Sequence, residues 1–322
     1  MEKILEVIDL SVTFGEDIQA LKEVSFEMFQ GEIVGLVGES GSGKSTLGLS
    51  IAGLLNLNKK ANLKGKVTVT NIDVLSANEE QLSRIRGTGI FVIFQDPFQS
   101  LDPLMTIGDH LGEAYKIRRE RDGTVINPLD LQTAIITALK RVNFENPEIV
   151  LSKYPHELSG GQNQRIMIAM AILEKPFLLI ADEPTTALDV TTQAQVLRLL
   201  KKIVKEENMA LLFITHDLAV ASMLCDRIIV LYDGMIQEIG AVDEIITNPL
   251  HPYTKGLINS MPTGSKRDTR LKFIKGLYVH NEIIGGCPFY PRCDYRKNMC
   301  LEMIPPLVEI NGRKVRCVLY DH

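Results

Sequence analysis

An α/β fold organised around a phosphate-binding loop is predicted by three observations. Gly38-Glu39-Ser40-Gly41-Ser42-Gly43-Lys44-Ser45-Thr46 fits the pattern G-x-x-x-x-G-K-S/T. The motif sits between Ile33-Val34-Gly35-Leu36-Val37, a short apolar run of buried-strand type, and Leu47 to Leu55, which can continue as a helix. Further along, the apolar run Phe177 to Ala181 delivers Asp182 and Glu183 to its C-terminal end, where α/β sheets place ligand chemistry. Glycines let the N–H groups of such a loop converge, and the helix end adds about half a positive charge. Lys44 is then placed to reach β and γ phosphates, and Ser45 to put its hydroxyl on Mg²⁺. Gly38, Ser40, Gly41, Ser42, Gly43, Lys44, Ser45 and Thr46 therefore describe a nucleotide-triphosphate cradle.

Composition narrows the classes that can surround this site. A chain of 322 residues can bury a sizeable core, and 45% hydrophobic with 23% charged residues is ordinary for a globular protein. Lys and Arg number 35 against 40 Asp and Glu, a net charge of −5, which argues against a broad nucleic-acid surface. The longest apolar runs, such as Ala210 to Ile214, fall far short of the roughly 20 residues of a membrane helix. Met1-Glu2-Lys3-Ile4-Leu5-Glu6 carries no apolar signal core, so a cytosolic location is expected.

Taken in order, Leu5 to Phe14 and Ala20 to Met28 read as strands joined by a turn at Phe14-Gly15-Glu16-Asp17. Phe14, an aromatic at a strand end, offers a π-face for adenine, although a core phenylalanine would look the same. Gly65 to Thr70 alternates as a strand, and Ser76-x-x-Glu79 resembles a capping box opening a helix to about Arg86. Ile90 to Phe94 reads as a buried strand ending at Gln95-Asp96-Pro97. The pattern turns helical from Met105 to about Phe144, broken at the charged patch Lys116 to Asp122, which reads as a solvated loop. Leu158 to Gln162 leads into an amphipathic helix with Ile166, Ile168, Ala169 and Ile172 on its apolar side. A helix over Thr191 to Glu207, a strand over Ala210 to Ile214 and a hairpin turning at Asp233-Gly234 complete this part, with a short helix near Asp243 to Thr247.

Six motifs in order then carry a resemblance: Gly38–Thr46, Gln95, Leu158-Ser159-Gly160-Gly161-Gln162, Leu178–Glu183, Ala187-Leu188-Asp189 and His216. Residues 1 to about 245 resemble the nucleotide-binding subunit of an ABC (ATP-binding cassette) transporter, and Leu-Ser-Gly-Gly-Gln is the most diagnostic piece. The tail is similar to the C-terminal extension of dipeptide/oligopeptide-importer ATPases, through His251-Pro252-Tyr253-Thr254-Lys255-Gly256-Leu257 and Gly286-Cys287-Pro288-Phe289-x-Pro291-Arg292-Cys293. Asn163-Gln164 after the signature departs from the commoner residues but leaves Ser159-Gly160-Gly161 untouched.

The resemblance implies a P-loop NTPase core with an antiparallel β subdomain, a helical subdomain inserted over about 97–170, and an extension over 246–322. It implies ATP and Mg²⁺ as ligands, with Asp182, Ser45 and Gln95 on the metal side and Glu183 orienting and deprotonating water. His216 would bridge γ-phosphate and Glu183, and Asp189 would face a partner subunit. Ser159, Gly160, Gly161 and Gln162 would complete the ATP site of a second subunit, making a dimer that closes over ATP. Implied partners are two membrane permease subunits, docked near Gln95 to Thr106, and a second ATP-binding subunit, commonly a paralogue. An extracytoplasmic substrate-binding protein would be an indirect partner, nucleic acid none, and the cytoplasmic face of the membrane the location.

Cys287, Cys293, Cys300 and Cys317 are spaced C-x5-C-x6-C-x16-C, while Cys225 stands alone in an apolar segment as a small core residue. Cytosolic disulfides are disfavoured, and the tight pairs of structural zinc sites do not occur. Four thiolates in an irregular loop suit a 4Fe–4S cubane, which the importer resemblance also implies; zinc and metal-free thiols remain the alternatives. The resemblance implies an importer ATPase energising uptake of dipeptides or short peptides, with nickel or oligosaccharide importers of the same subfamily as the alternative, since an ATPase subunit need not touch its cargo. Soluble ABC ATPases of DNA repair fit poorly with the negative charge and the lack of long heptads between Gln95 and Ser159. Translation factors of this class carry two cassettes, and one is present here.

Overall fold

The structure, a computed structural model, describes residues 2–58, 60–86, 89–186, 188–261, 274–276, 280 and 285–320. Its strands, in chain order, are β1 (Lys3–Phe14), β2 (Ile18–Phe29), β3 (Ile33–Val37), β4 (Ala61–Val69), β5 (Ile72–Asp73) and β6 (Ile90–Ile93). They continue as β7 (Leu178–Asp182), β8 (Ala210–Thr215), β9 (Arg227–Tyr232), β10 (Met235–Ala241), β11 (Val308–Ile310) and β12 (Arg313–Val315). One antiparallel sheet has the order β2-β1-β4-β5, and a larger mixed sheet the order β11-β12-β10-β9-β3-β8-β7-β6.

Strands β9, β3, β8, β7 and β6 are parallel neighbours, so helices must cover both faces. The alternation of their side chains shows how. Val34, Leu36, Leu178, Ile180, Leu212 and Ile214 face the core shared with the antiparallel sheet and the helix Lys44–Ile51. Ile33, Val37, Leu179, Ala181, Leu211 and Phe213 face the core built by the helical region. A period of two that is apolar on both faces is the mark of a central strand.

The helical region comprises Pro97–Ser100, Ile107–Arg121, Pro128–Arg141, Pro147–Leu151 and Gly160–Glu174. Here the structure corrects three expectations. The charged patch from Lys116 is the last turns of the helix Ile107–Arg121 and not a loop. Lys, Arg and Glu are good helix formers, and Arg118 reaches Asp122 at 3.2 Å while Arg119 lies over the Tyr115 ring at 5.1 Å. The helix Glu79–Ile85 is capped by Asn78 with Gln81, because Ser76 is turned to the Asp73 carboxylate at 2.9 Å. The helix Gly160–Glu174 is buried almost all round, Asn163 and Gln164 included, because it runs through the middle of the helical region.

Beyond β10 the chain folds back on the larger sheet. Strand β12 pairs antiparallel with β10 and β11 with β12, through a hairpin at Asn311 (φ 51°) and Gly312 (φ 79°). Glu238 on β10 is fully buried, paired to Arg313 at 2.6 Å and accepting from the N–H groups of Leu250 and His251. Cys287, Phe289, Cys300 and Val318 belong to the same core as the helical region. Among the described residues, no helix is long and apolar enough to cross a membrane.

Candidate functional site: a phosphate loop facing two carboxylates

The loop after β3 is forced by its contacts. A Cβ on Gly38 would stand 2.2 Å from the Leu231 carbonyl oxygen, and Gly43, at φ 103°, would drive one to 2.6 Å from the Ala20 oxygen. Only glycine lets the chain pass. Gly43 begins the helix Lys44–Ile51 with no side-chain cap and no acidic residue in the first turn, which leaves that turn's N–H groups to a ligand. Lys44 is buried, its Nζ donating to the carbonyls of Gly38 and Glu39, each at 2.9 Å. Burial lowers its pKa, against the attraction of Glu183, Asp182 and Glu39.

A cavity of about 320 Å³ opens on the loop, lined by Ser40, Gly41, Gly43, Lys44, Ser45 and Thr46 together with Gln95 and Glu183. It continues past Ser45 and Gln95 to Asp182 and Thr186, toward Phe94, Gln99 and Ser100. Ser42 is fully buried under the loop. The sequence-predicted loop residues, Gln95, Asp182 and Glu183 are thus brought together. Ile18, Ala20 and His280 line the same cavity and were not singled out from the sequence. An exposed isoleucine just after a glycine turn was the available signal for Ile18, whereas His280 is paired with Asp233 at 2.6 Å and had no local signal. Phe14 is half-buried against the N-terminal core and is not among the lining residues, so the expected adenine platform is not seen facing the loop.

Glu183 follows β7 in the left-handed region at φ 45°, its N–H donating to Ile214 of the neighbouring strand at 2.9 Å. That conformation costs on the order of 1–3 kcal/mol for a non-glycine residue and turns the side chain into the cleft. Oε1 meets His216 Nδ1 at 3.0 Å, and Oε2 accepts from the Thr186 hydroxyl at 3.0 Å. Burial alone would raise this carboxyl, but His216, Thr186 and the Lys44 charge outweigh it and hold Glu183 below the usual range. It is therefore an ionised carboxylate at neutral pH.

Asp182 differs. Burial pushes its carboxyl up, opposed by a hydrogen bond from Ser45 and by Lys44. Its Oδ1 is buried with no hydrogen-bond partner. An orphaned carboxylate oxygen beside a serine hydroxyl and the Gln95 amide is the donor set of a hard divalent cation, so the residues present fit Mg²⁺.

Ser159, Gly160, Gly161 and Gln162 stand elsewhere, and none lines the cleft around the loop. Ser159 caps the helix Gly160–Glu174 in a reciprocal box with Gln162, at 2.9 and 3.3 Å, and both side chains are exposed. Asn163 ties this turn to the Pro155 carbonyl at 2.8 Å. Asp189 caps the helix Val190–Glu206 through the N–H groups of Thr191 and Thr192 and is exposed; Ala187 of the same motif lies outside the described residues.

Cys287, Cys293, Cys300 and Cys317 line one cavity of about 20 Å³, room for roughly one water molecule. Burial pushes the Cys287 thiol up to about 12 and Cys293 to about 11. The thiols converge, but among the described residues no group of three or more His, Cys, Asp or Glu side chains could hold a metal ion. The expectation of a metal or iron–sulfur site therefore finds no support in this arrangement.

Comparison with known proteins places these features. Residues 21–186 match the ABC transporter family model, and residues 237–300 match the oligopeptide/dipeptide transporter C-terminal region. The oligopeptide transport ATP-binding protein AppD of Bacillus subtilis is 41% identical, over 100% of this chain and 98% of its own. The dipeptide transport ATP-binding protein DppD of Haemophilus influenzae is 41% identical, over 98% and 94%. A dimeric post-hydrolysis structure of the ATP-binding cassette MJ0796, bound to ADP and Pi, aligns with a TM-score of 0.63 and 31% identity, covering 74% of this chain and 99% of that one. Loop, carboxylates, signature helix and C-terminal region agree on one conclusion: the chain belongs to the ATP-binding, ATP-hydrolysing subunits of ABC transporters, in the oligopeptide/dipeptide subfamily.

Proposed function

We propose that this subunit hydrolyses ATP to drive import of dipeptides or short oligopeptides, as half of a closing dimer on the cytoplasmic face of the membrane. The observation that carries the reading is Glu183, ionised and held by His216 and Thr186 across the cleft from Lys44. Lys44 and the free N–H groups after Gly43 bind the phosphates; Asp182, Ser45 and Gln95 would hold Mg²⁺, which when bound offsets charge on the phosphoryl oxygens. Glu183 orients a water and takes its proton, and His216 fixes that carboxylate and faces the γ-phosphate. Exposed Ser159 at an outward-facing helix start supports a site completed by a second ATP-binding subunit, of the same or a paralogous chain. The exposed apolar side chains Phe98 and Leu104, in the segment from Gln95 to Thr106, support docking of permease subunits there.

The convergence of four cysteines supports a common role for them, with the 4Fe–4S cubane and zinc readings decided by iron, sulfide and zinc analysis of anaerobically purified protein. Import is tested in membrane vesicles carrying the cognate permease. ATP-dependent dipeptide uptake that Glu183→Gln abolishes supports the reading, and ATP hydrolysis indifferent to permease and peptide receptor overturns it.

A further inference from the structure

The phosphate loop is gripped from outside as well as from within. Glu39, its second residue, gives its carboxylate to Arg292 of the C-terminal extension, Nη1 to Oε2 at 2.5 Å and Nη2 to Oε1 at 3.0 Å. Two parallel charge-assisted bonds of this kind fix orientation as well as distance. The Arg292 side chain is only 6% exposed, and that of Glu39 27%. Its Nε donates to the Lys275 carbonyl at 3.0 Å, which sets the plane of the guanidinium. The backbone N–H of the same Glu39 donates to the hydroxyl of Tyr253 at 2.9 Å. Tyr253 is fully buried, its ring against Tyr232 at 4.7 Å and Phe289 at 5.3 Å. With Lys44 on its carbonyl, Glu39 is held at carbonyl, N–H and side chain, and two of these holds come from the extension.

Charge gives the arrangement a consequence for binding. Glu39 is the sole acidic residue of the loop, in a segment that must accept a polyanion. Left unpaired, its carboxylate would repel incoming phosphates and compete for Lys44, on which it already acts electrostatically. We propose that Arg292, assisted by Tyr253, is a positioning residue of the ATP site: by pairing with Glu39 it neutralises the loop's carboxylate and fixes the loop's entry, so that the C-terminal extension sets affinity for ATP. The inference rests on this loop being the ATP site.

The test is steady-state ATPase kinetics on the full-length protein, with thermal melting as the check of folding. Arg292→Ala raises the KM for ATP about tenfold or more with a smaller change in kcat, because the loop's carboxylate has lost its cation beside the incoming phosphates. Arg292→Lys, which keeps the charge but loses the fork, falls between. Glu39→Gln in the Arg292→Ala background brings KM back to within about threefold of wild type, a rescue that a purely structural role would not show. If Arg292→Ala fails to fold, Arg292→Lys and the double variant carry the same comparison. A wild-type KM in the folded variants, or a raised KM that Glu39→Gln does not relieve, overturns the proposal. Lys44→Ala separates the two readings: nucleotide binding unchanged by that substitution removes the ATP site itself, whatever Arg292 does.

Discussion

The helix beginning at Lys44 and the helix beginning at Gly160 both start from glycines and both present backbone N–H groups, yet their ends are finished in opposite ways. The first has no side-chain cap, opens into a cleft and faces Lys44, Asp182 and Glu183. The second is capped by its own Ser159–Gln162 box and faces solvent, with no catalytic group of this chain beside it. One chain therefore holds a nearly complete phosphate site and a detached phosphate-type surface. The economical account of the pair is that each serves a site shared with another subunit. A third contrast separates them: the first end is buttressed by the C-terminal extension through Arg292 and Tyr253, and among the described residues no hydrogen bond from the extension reaches the second.

The largest expected effect lies at the first end. Glu183→Gln leaves ATP binding intact and lowers turnover by roughly 10²–10⁴-fold, read in a phosphate-release assay. Near-normal turnover would mean that this cleft lacks its base. At the second end, Ser159→Arg lowers turnover by about 10²–10³-fold while nucleotide binding by the separated subunit is unchanged, measured by fluorescent-nucleotide titration. Weakened binding in the isolated chain would break the contrast by showing that Ser159 serves its own loop.

The anchoring of the extension on β10 gives the next effect. Arg313→Ala leaves Glu238 buried without its cation and costs about 3–5 kcal/mol of stability in denaturant unfolding, with the signature helix keeping its own protection from hydrogen exchange. Graded with pH, and small within any one unit, is the effect at His251, which is fully buried and caps the helix Pro252–Asn259 by accepting from the Tyr253 N–H at 3.0 Å. Burial lowers its pKa to about 3, so the folded state resists a proton that the unfolded chain takes up near pH 6.5. Its contribution is fully present above pH 6.5 and is lost as pH falls toward 3, by about 1.4 kcal/mol per unit. His251→Asn, which keeps a capping side chain, flattens the stability slope in that window; an unchanged slope contradicts the assignment.

Much of the first end was legible because it is local. The loop is contiguous with the strand before it, the two carboxylates sit side by side at the end of their own apolar run, and glycine spacing reports backbone geometry directly. The second end was legible as a motif, although which site it serves is a matter of tertiary arrangement. What sequence reasoning missed is long-range. Arg292 on Glu39 and His280 at the cavity depend on the extension folding back, and no periodicity announces that. Strands β11 and β12 did leave a trace in the Asn311-Gly312 turn. Helix boundaries failed where charge was read as solvation, at Lys116 to Asp122, and where a capping side chain had a nearer partner, at Ser76. The cysteine spacing suggests a metal or iron–sulfur site; the four side chains line one cavity, in an arrangement that gives a metal no support.

The shared site is tested most directly by mixing two inactive chains. Lys44→Ala destroys the loop and keeps the signature helix start; Ser159→Arg does the reverse. With wild-type ATPase activity under the same conditions showing that the homodimer forms, a mixed dimer contains one doubly damaged site and one site intact on both sides. The account predicts that ATPase activity, nearly absent in either variant alone, returns on mixing. A mixture as inactive as its components would contradict it, because the loop and the signature would then serve the same chain.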